Sequence, residues 1–446
     1  MLDLLLKNGL VVDPVNQVQS VLNLGVKNGR IVRITRDALP ALEEIDCTGM
    51  IVCPGFVDAH SHEDDLRNGE IHADITLRAL RQGVTTLVTG NCGSAPRDFA
   101  AYRAAYDGKQ PINMALLAGH TTIRRLFGAK DKYAPVDEKT LAAMCELLEQ
   151  QMAEGARGLS MGIRYEPGMT LDEMCAMASV VKRFDGIVAA HVRGDAFQVF
   201  DAMEEFLEIG RRTGVKLQIS HIGSMAAYGQ MAQVLSYVDA RAAEEGLDVR
   251  IDSYPYDAFC TSIGATTYDD GFLERYHDVT RIELTDGEYK GFIPNMEVFQ
   301  QVRKAHPEYL TVAHVMNGEE VDLALTHPRT MLGSDGILLD VAGHPRAAGA
   351  FARFLRNYVF ERKLISLSEG IAKTTCQAAA RFGLDRGTLG IGAVADIAVI
   401  DPERLQDKAT FAEPGLAPEG VKLVFLSGAM ALKDGAILRT ELGRIL

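Results

Sequence analysis

The sequence predicts an α/β fold: a (β/α)8 TIM-like barrel, a small β-sandwich domain formed by both chain ends, and an inserted subdomain before the last barrel strand. Three observations predict it. The middle of the chain alternates short apolar, β-like runs with helical stretches, the pattern of βα units and a parallel sheet. Both ends read instead as strands and hairpins. One interval, between Tyr254 and Thr330, is too long for a plain βα connection.

At the N-terminus, residues 10–14 form a strand that ends in a turn, and residues 24–32 alternate around Asn28-Gly29. Asn-Gly between two such runs signals a hairpin, because both residues tolerate positive φ. At the other end, residues 395–400 read as a strand, and Asp434-Gly435 separates 429–433 from 436–438. Chain termini commonly lie close in space, so 1–53 and 386–446 are assigned to one small β domain. The barrel takes 54–385. Its strands are read at 50–57, 84–89, 112–118, 156–160, 187–190, 216–220, 247–252 and 330–334. Catalytic residues of such barrels come from the C-terminal ends of strands. Here the runs are followed in turn by His60, Cys92, His120, Tyr165, His191, His221, Tyr254 and Asp335. Before the last strand, 284–292 and a helix-like stretch at 296–304 mark an insertion or lid, assigned to 257–310.

Composition narrows the function. Hydrophobic residues make 47% and charged residues 24%, a soluble globular balance. The net charge of -14, from 46 Lys+Arg against 60 Asp+Glu, argues against nucleic acid or an anionic membrane as main partner. A small-molecule substrate remains. No apolar stretch approaches the length of a membrane span. The N-terminus, Met1-Leu2-Asp3-Leu4-Leu5-Leu6-Lys7, is too short and too early charged for a signal peptide. Seven scattered cysteines without a Cys-x-x-Cys suit a reducing compartment, so a cytoplasmic location is expected.

His60-Ser61-His62 follows the first barrel strand directly, and His-x-His at a strand end turns two imidazoles toward one point. Alone this is a weak motif. With Cys92, His191, His221 and Asp335 at further strand ends it becomes a metal-ligand set of imidazole, thiolate and carboxylate, suited to Zn²⁺ rather than Mg²⁺ or Ca²⁺. Six ligands exceed one tetrahedral ion, so one or two ions per chain are expected, with Cys92 as the bridge. Each residue has a blander reading. Most of the eleven histidines of such a chain are surface or core residues, and His72, His277, His306, His314, His327 and His344 are read so. Cys92 alone is a small buried hydrophobe, and Asp335 alone a turn residue. Placement at successive strand ends weakens those readings jointly. Glycines on both sides of Asn91-Cys92 let its backbone approach a neighbour closely.

These residues resemble the amidohydrolase superfamily: His60-Ser61-His62, a histidine after each of two middle strands, and Asp335 after the last. Most members carry a metal-bridging lysine after the fourth strand, where this chain has Ser160-Met161-Gly162. Asn91-Cys92-Gly93 instead resembles the bridging cysteine of the D-aminoacylase branch, the N-acyl-D-amino-acid deacylases. Gly119-His120-Thr121-Thr122-Ile123-Arg124, Tyr254-Pro255-Tyr256-Asp257-Ala258 and His344-Pro345-Arg346 are similar to that branch as well. The resemblance implies a zinc-dependent hydrolase of linear amides, with Asp335 as general base and acid. It implies that Arg346 holds a substrate carboxylate, with Tyr254 against the substrate and Cys260 where the branch commonly has a serine. Tyr165, His120 and Arg193 complete the expected substrate-binding set. The alternative is a cyclic amidohydrolase, hydantoinase- or dihydroorotase-like, against which the missing lysine and the Cys92 setting count. A ring deaminase leaves Arg346 without a task, and a barrel that lost its chemistry should lack this ligand set.

Overall fold

The computed structural model describes residues 1–269, 271–339 and 342–446. Its centre is a barrel of parallel strands: β1 (Phe56–Asp58), β2 (Val84–Thr89), β3 (Asn113–Leu116), β4 (Gly158–Gly162), β5 (Ile187–His191), β6 (Lys216–Ile219), β7 (Val249–Ser253) and β8 (Thr330–Leu332). Backbone pairing runs β3-β2-β1 and from β4 in order to β8. Two seams close it. Beyond β3 the chain continues as Ala118–Gly119 and pairs with β4, and β1 meets β8 where Ala59 N donates to Leu332 O at 3.1 Å and Asp335 N to His60 O at 2.7 Å. Nearly every barrel-strand residue is buried, which is why these segments read as continuous apolar runs rather than alternating ones.

The first expected strand, 50–57, is two strands. Ile51–Pro54 belongs to the terminal sheet and β1 to the barrel, with Gly55 at the joint donating its N–H to Asp396 O at 2.9 Å. A side chain has no room there, since a Cβ on Gly55 would lie 2.3 Å from the Thr85 side chain.

The chain ends form one nine-stranded sheet, in which Ile397–Ile400 pairs with Ile51–Pro54. The long first strand, Leu2–Asp13, pairs with Ala41–Asp46 along its first half and with Ile51–Pro54 along its second. That lets the sheet curl over a core including Leu4, Leu24, Val52, Ile397 and Phe425, so the two layers of the sandwich are one continuous sheet. Asn28-Gly29 and Asp434-Gly435 both turn with φ positive at each residue and join antiparallel neighbours.

The insertion is an antiparallel sheet of Phe259–Ser262, Ile282–Leu284, Gly291–Phe292 and Leu310–Ala313, with helix Met296–Ala305 packed beside it. Its first and last strands pair, so it runs past the expected limit at 310. Buried Arg275 meets Asp195 with Nε–Oδ1 at 2.7 Å, Tyr276 donates its hydroxyl to the same carboxylate, and Tyr133 donates to Asp269 at 2.6 Å. These contacts fasten it to loops of the barrel, where it forms a cavity wall. Among the described residues no helix is long and apolar enough to cross a membrane.

Candidate metal centre

The C-terminal ends of the strands surround a cavity of about 470 Å³, within the range of small-molecule sites. At its floor the ligand atoms of His60, Cys92, His221 and Asp335 all lie within 4.8 Å of one another. Cys92 Sγ is 3.3 Å from His221 Nε2 and 3.6 Å from His60 Nε2. Asp335 Oδ1 is 3.2 Å from His62 Nε2 and 3.5 Å from His60 Nε2. The His191 ring packs on His221 with centroids 4.5 Å apart, and Tyr165 lies against its other side at 4.7 Å. The structure therefore brings together all six expected ligand residues.

Three of them hold backbone conformations that side-chain-bearing residues rarely adopt. Cys92, His221 and Asp335 have φ of +55°, +33° and +49°. Such strain persists only where surrounding structure enforces it, and it collects at functional sites. At Cys92 the enforcing contacts are visible. Gly93 N donates to Ser160 Oγ at 2.9 Å, and that hydroxyl donates in turn to Gly90 O. Ser160, standing where the superfamily's lysine is expected, thus buttresses the loop that carries the thiol. Gly90 and Gly93 both have positive φ, and a Cβ on either would strike backbone within 3 Å.

The electrostatics favour an ionised thiol and carboxylate. Burial by itself pushes the Cys92 thiol up, but the neighbouring His221 and His60 imidazoles bring it well below its ordinary value. Asp335 is likewise pushed up by burial and brought well below the carboxylate range by Arg346 and the site histidines. His191 is lowered by burial and by His221, so it is a neutral imidazole able to bind a metal.

Asp252, at the end of β7, was not anticipated from sequence. Its carboxylate stands 3.0 Å from His60 Nδ1, accepts from His221 N at 2.7 Å and accepts from Gln218 Nε2 at 2.8 Å. One buried side chain thereby holds two candidate ligands. Ser224 Oγ meets His221 Nδ1 at 2.9 Å from the following turn. Asp252 obeys the same strand-end rule as the expected ligands, which is the signal that could have found it.

Arg346 is buried at the cavity wall. Its Nη2 is 2.8 Å from Asp335 Oδ2 and its guanidinium lies 4.5 Å over the Tyr254 ring. Among the described residues Nε and Nη1 have no hydrogen-bond partner, nor has the Tyr254 hydroxyl. One arm of the guanidinium is thus committed to Asp335, and the other donors have no partner among the described residues. His344 accepts from Arg346 N at 3.1 Å and donates to Ala258 O at 3.1 Å, which fixes the arginine against the start of the strand bearing Cys260. Cys260 lines the cavity as a neutral thiol, pushed up to about 12 by burial.

Two expected substrate residues face elsewhere. His120 opens helix His120–Leu126 and turns away from the cavity to Glu173, 3.0 Å distant, in a buried cluster with Arg124. Arg193 is spent on structure: Nε meets both oxygens of Glu205, and its two amino groups donate to Pro167 O and Met169 O at 2.7 Å each. It staples the loop that follows Tyr165.

Models of the amidohydrolase family match residues 51–255 and 291–431. The chain is 33% identical to a D-aminoacylase of Alcaligenes xylosoxydans xylosoxydans, over 100% of its own length and 97% of the relative's. The fold is similar to the crystal structure of N-acyl-D-glutamate deacylase from Bordetella bronchiseptica, solved with zinc and a phosphonate mimic of the tetrahedral intermediate. The TM-score is 0.89 at 31% identity, covering 100% of this chain and 99% of that one. A D-hydantoinase shares the fold alone, at 16% identity and a TM-score of 0.64, with 100% and 98% covered.

Proposed function

The chain belongs to the amidohydrolase family, and from that premise we propose that it is a zinc-dependent deacylase of N-acyl-D-amino acids, hydrolysing their linear amide bond. One observation carries this reading: the Cys92 sulfur lies among the imidazoles and the Asp335 carboxylate, in the same cavity as a buried guanidinium with free N–H groups. The D configuration is taken over from the similarity to D-aminoacylase and N-acyl-D-glutamate deacylase.

The donor set fits the metal. Imidazole nitrogens, a thiol held low and a carboxylate converge within one ion's reach, and zinc favours such mixed ligands. His60, His62, Cys92, His191, His221 and Asp335 would hold one or two ions. Zinc bound there supplies water of near-neutral pKa and polarises the scissile carbonyl.

The chain's own residues do the rest. Asp335 takes the proton of the attacking water at Oδ1 and returns it to the leaving nitrogen, without which an amine anion would have to depart. Arg346 holds Asp335 through Nη2, which fixes the carboxylate and keeps it ionised. Its free donors and the Tyr254 hydroxyl take the substrate carboxylate. Tyr165 closes the far side of His191, and the Cys260 thiol leaves the carboxylate pocket one weaker hydrogen bond than a serine would give. Seven free cysteines support a cytoplasmic location.

The test is a substrate panel: paired N-acetyl-D- and N-acetyl-L-amino acids, acidic and apolar, with dihydroorotate and a hydantoin. Amine release from D substrates alone is expected. Ring opening without deacylation would move the protein to the cyclic amidohydrolases.

A further inference from the structure

In a closed eight-stranded barrel, β3 stands across from β7 and β4 from β8. The α-carboxylate donors, Arg346 and Tyr254, follow β8 and β7. On the opposite wall, after β3 and β4, the cavity is lined by Lys132, Arg125 and Glu166. The candidate ligands lie between the two walls. A linear N-acyl amino acid runs in the order carboxylate, α-carbon, nitrogen, carbonyl, acyl chain. With its carboxylate at Arg346 and its carbonyl at the centre, the acyl chain extends toward Lys132.

The charges on that wall are unequal in what they leave free. Glu166 is paired with Arg125 at 2.5 Å, and Asp195 with Arg275 and Tyr276. Among the described residues no carboxylate pairs with the Lys132 ammonium, which lies 5.2 Å over the Tyr133 ring. Its backbone is nevertheless fixed. Lys132 O accepts from Gly168 N at 2.8 Å, Ala134 O from Arg124 Nη2 at 2.7 Å, and Tyr133 is tied to Asp269 of the insertion. Glu166 and Asp269 stand within electrostatic range of the Lys132 ammonium but make no direct ion pair with it. A positioned cation with no direct partner among the described residues, facing the substrate path inside a protein of net charge -14, is a site for an anion.

Resting on the deacylase reading, we propose that Lys132 anchors a terminal carboxylate on the acyl group, so that the favoured substrates are dicarboxylic acyl derivatives of amino acids. Lys132 is a specificity residue and takes no part in the proton transfers. The order of groups along the substrate assigns the second anion to the acyl chain rather than to the amino-acid side chain.

The experiment compares kcat/KM for an N-succinyl-D-amino acid with that for its neutral isostere, the N-succinamoyl derivative. The same comparison is made between N-acetyl-D-glutamate and N-acetyl-D-glutamine. In the wild type the succinyl compound is expected to be preferred on the order of ten- to a hundredfold, the weight of one charge-assisted hydrogen bond. Lys132→Met should bring that ratio close to one through KM, and Lys132→Arg should keep it. A wild-type ratio near one, or a ratio untouched in Lys132→Met, would overturn the anchoring role while leaving the deacylase reading intact. An effect confined to the glutamate pair would overturn the acyl assignment. Absence of turnover of every N-acyl-D-amino acid would overturn the functional reading and this inference with it.

Discussion

At the scale of single residues, the site depends on side chains held where their own preferences would not put them. Asp335 sits at φ +49°, a conformation asparagine adopts as readily as aspartate. Asp335→Asn should therefore keep the fold and its melting temperature while kcat falls on the order of a hundred- to ten-thousandfold, the usual loss of a general base. Turnover near normal in a folded Asp335→Asn protein would remove the assignment. Asp252 makes a complementary prediction, because it touches the candidate ligands His60 and His221 and does not line the cavity. Asp252→Asn takes a negative charge from beside His60 Nδ1 and should weaken zinc affinity about ten- to a hundredfold, as loss of a ligand's supporting carboxylate does. Competition against a chromophoric chelator measures it, and unchanged affinity would leave Asp252 a fold residue only. The candidate ligands that the structure brings together could be picked out in the sequence, because His60-Ser61-His62 and each of the others follow an apolar run. The supporting shell was less legible. That Asp252 would reach both His60 and the His221 backbone is a fact of barrel closure, which brings strand ends far apart in sequence to one rim. His120 and Arg193 fail for the converse reason. A polar residue after a strand can turn into the cavity or into the helix layer, and only the positions of Glu173 and Glu205 decide which.

At the scale of elements, the joint between sheet and barrel is a tight point. The run 50–57 reads as one strand because both halves are buried and apolar, and the only mark of the joint is Gly55. Its need for glycine is spatial rather than conformational. Gly55→Ala places a methyl 2.3 Å from Thr85, whose side chain is fully buried, and should cost about 1–3 kcal/mol by overpacking. A shifted urea midpoint reads the loss. Adding Thr85→Ala should recover part of it, and failure to recover would mean that the strain lies in the backbone. The hairpins at Asn28-Gly29 and Asp434-Gly435 were legible because their chemistry is local. The length of the insertion was legible from its irregular spacing, but its end was not. That end is set by the antiparallel pairing of Leu310–Ala313 with Phe259–Ser262, a contact no local pattern encodes.

At the scale of the whole molecule, burial of charge beneath the barrel ties stability to pH. Lys373, on the helix Leu367–Thr374, donates to His327 O at 2.6 Å and Thr330 O at 2.9 Å, and burial lowers it to about 8. Between about 8 and its ordinary value of 10.5, the unfolded chain binds a proton there that the folded chain does not. Stability should accordingly rise with pH across that window relative to Lys373→Met, and a difference curve without slope would show that the amine stays charged when folded. The closed barrel, the curled terminal sheet and the docked insertion together aim the Cys92 thiol, the site imidazoles and the Asp335 carboxylate at one point. The most direct test is to strip the protein with a chelator and titrate zinc back, following amine release from an N-acetyl-D-amino acid in the wild type and in Cys92→Ala. Metal-dependent deacylation centred on Cys92 predicts an inactive stripped protein, activity that returns and saturates at one or two equivalents of zinc, and a Cys92→Ala variant that neither holds zinc tightly nor recovers. Full turnover by the stripped protein, or full metal content and rate in Cys92→Ala, would contradict it.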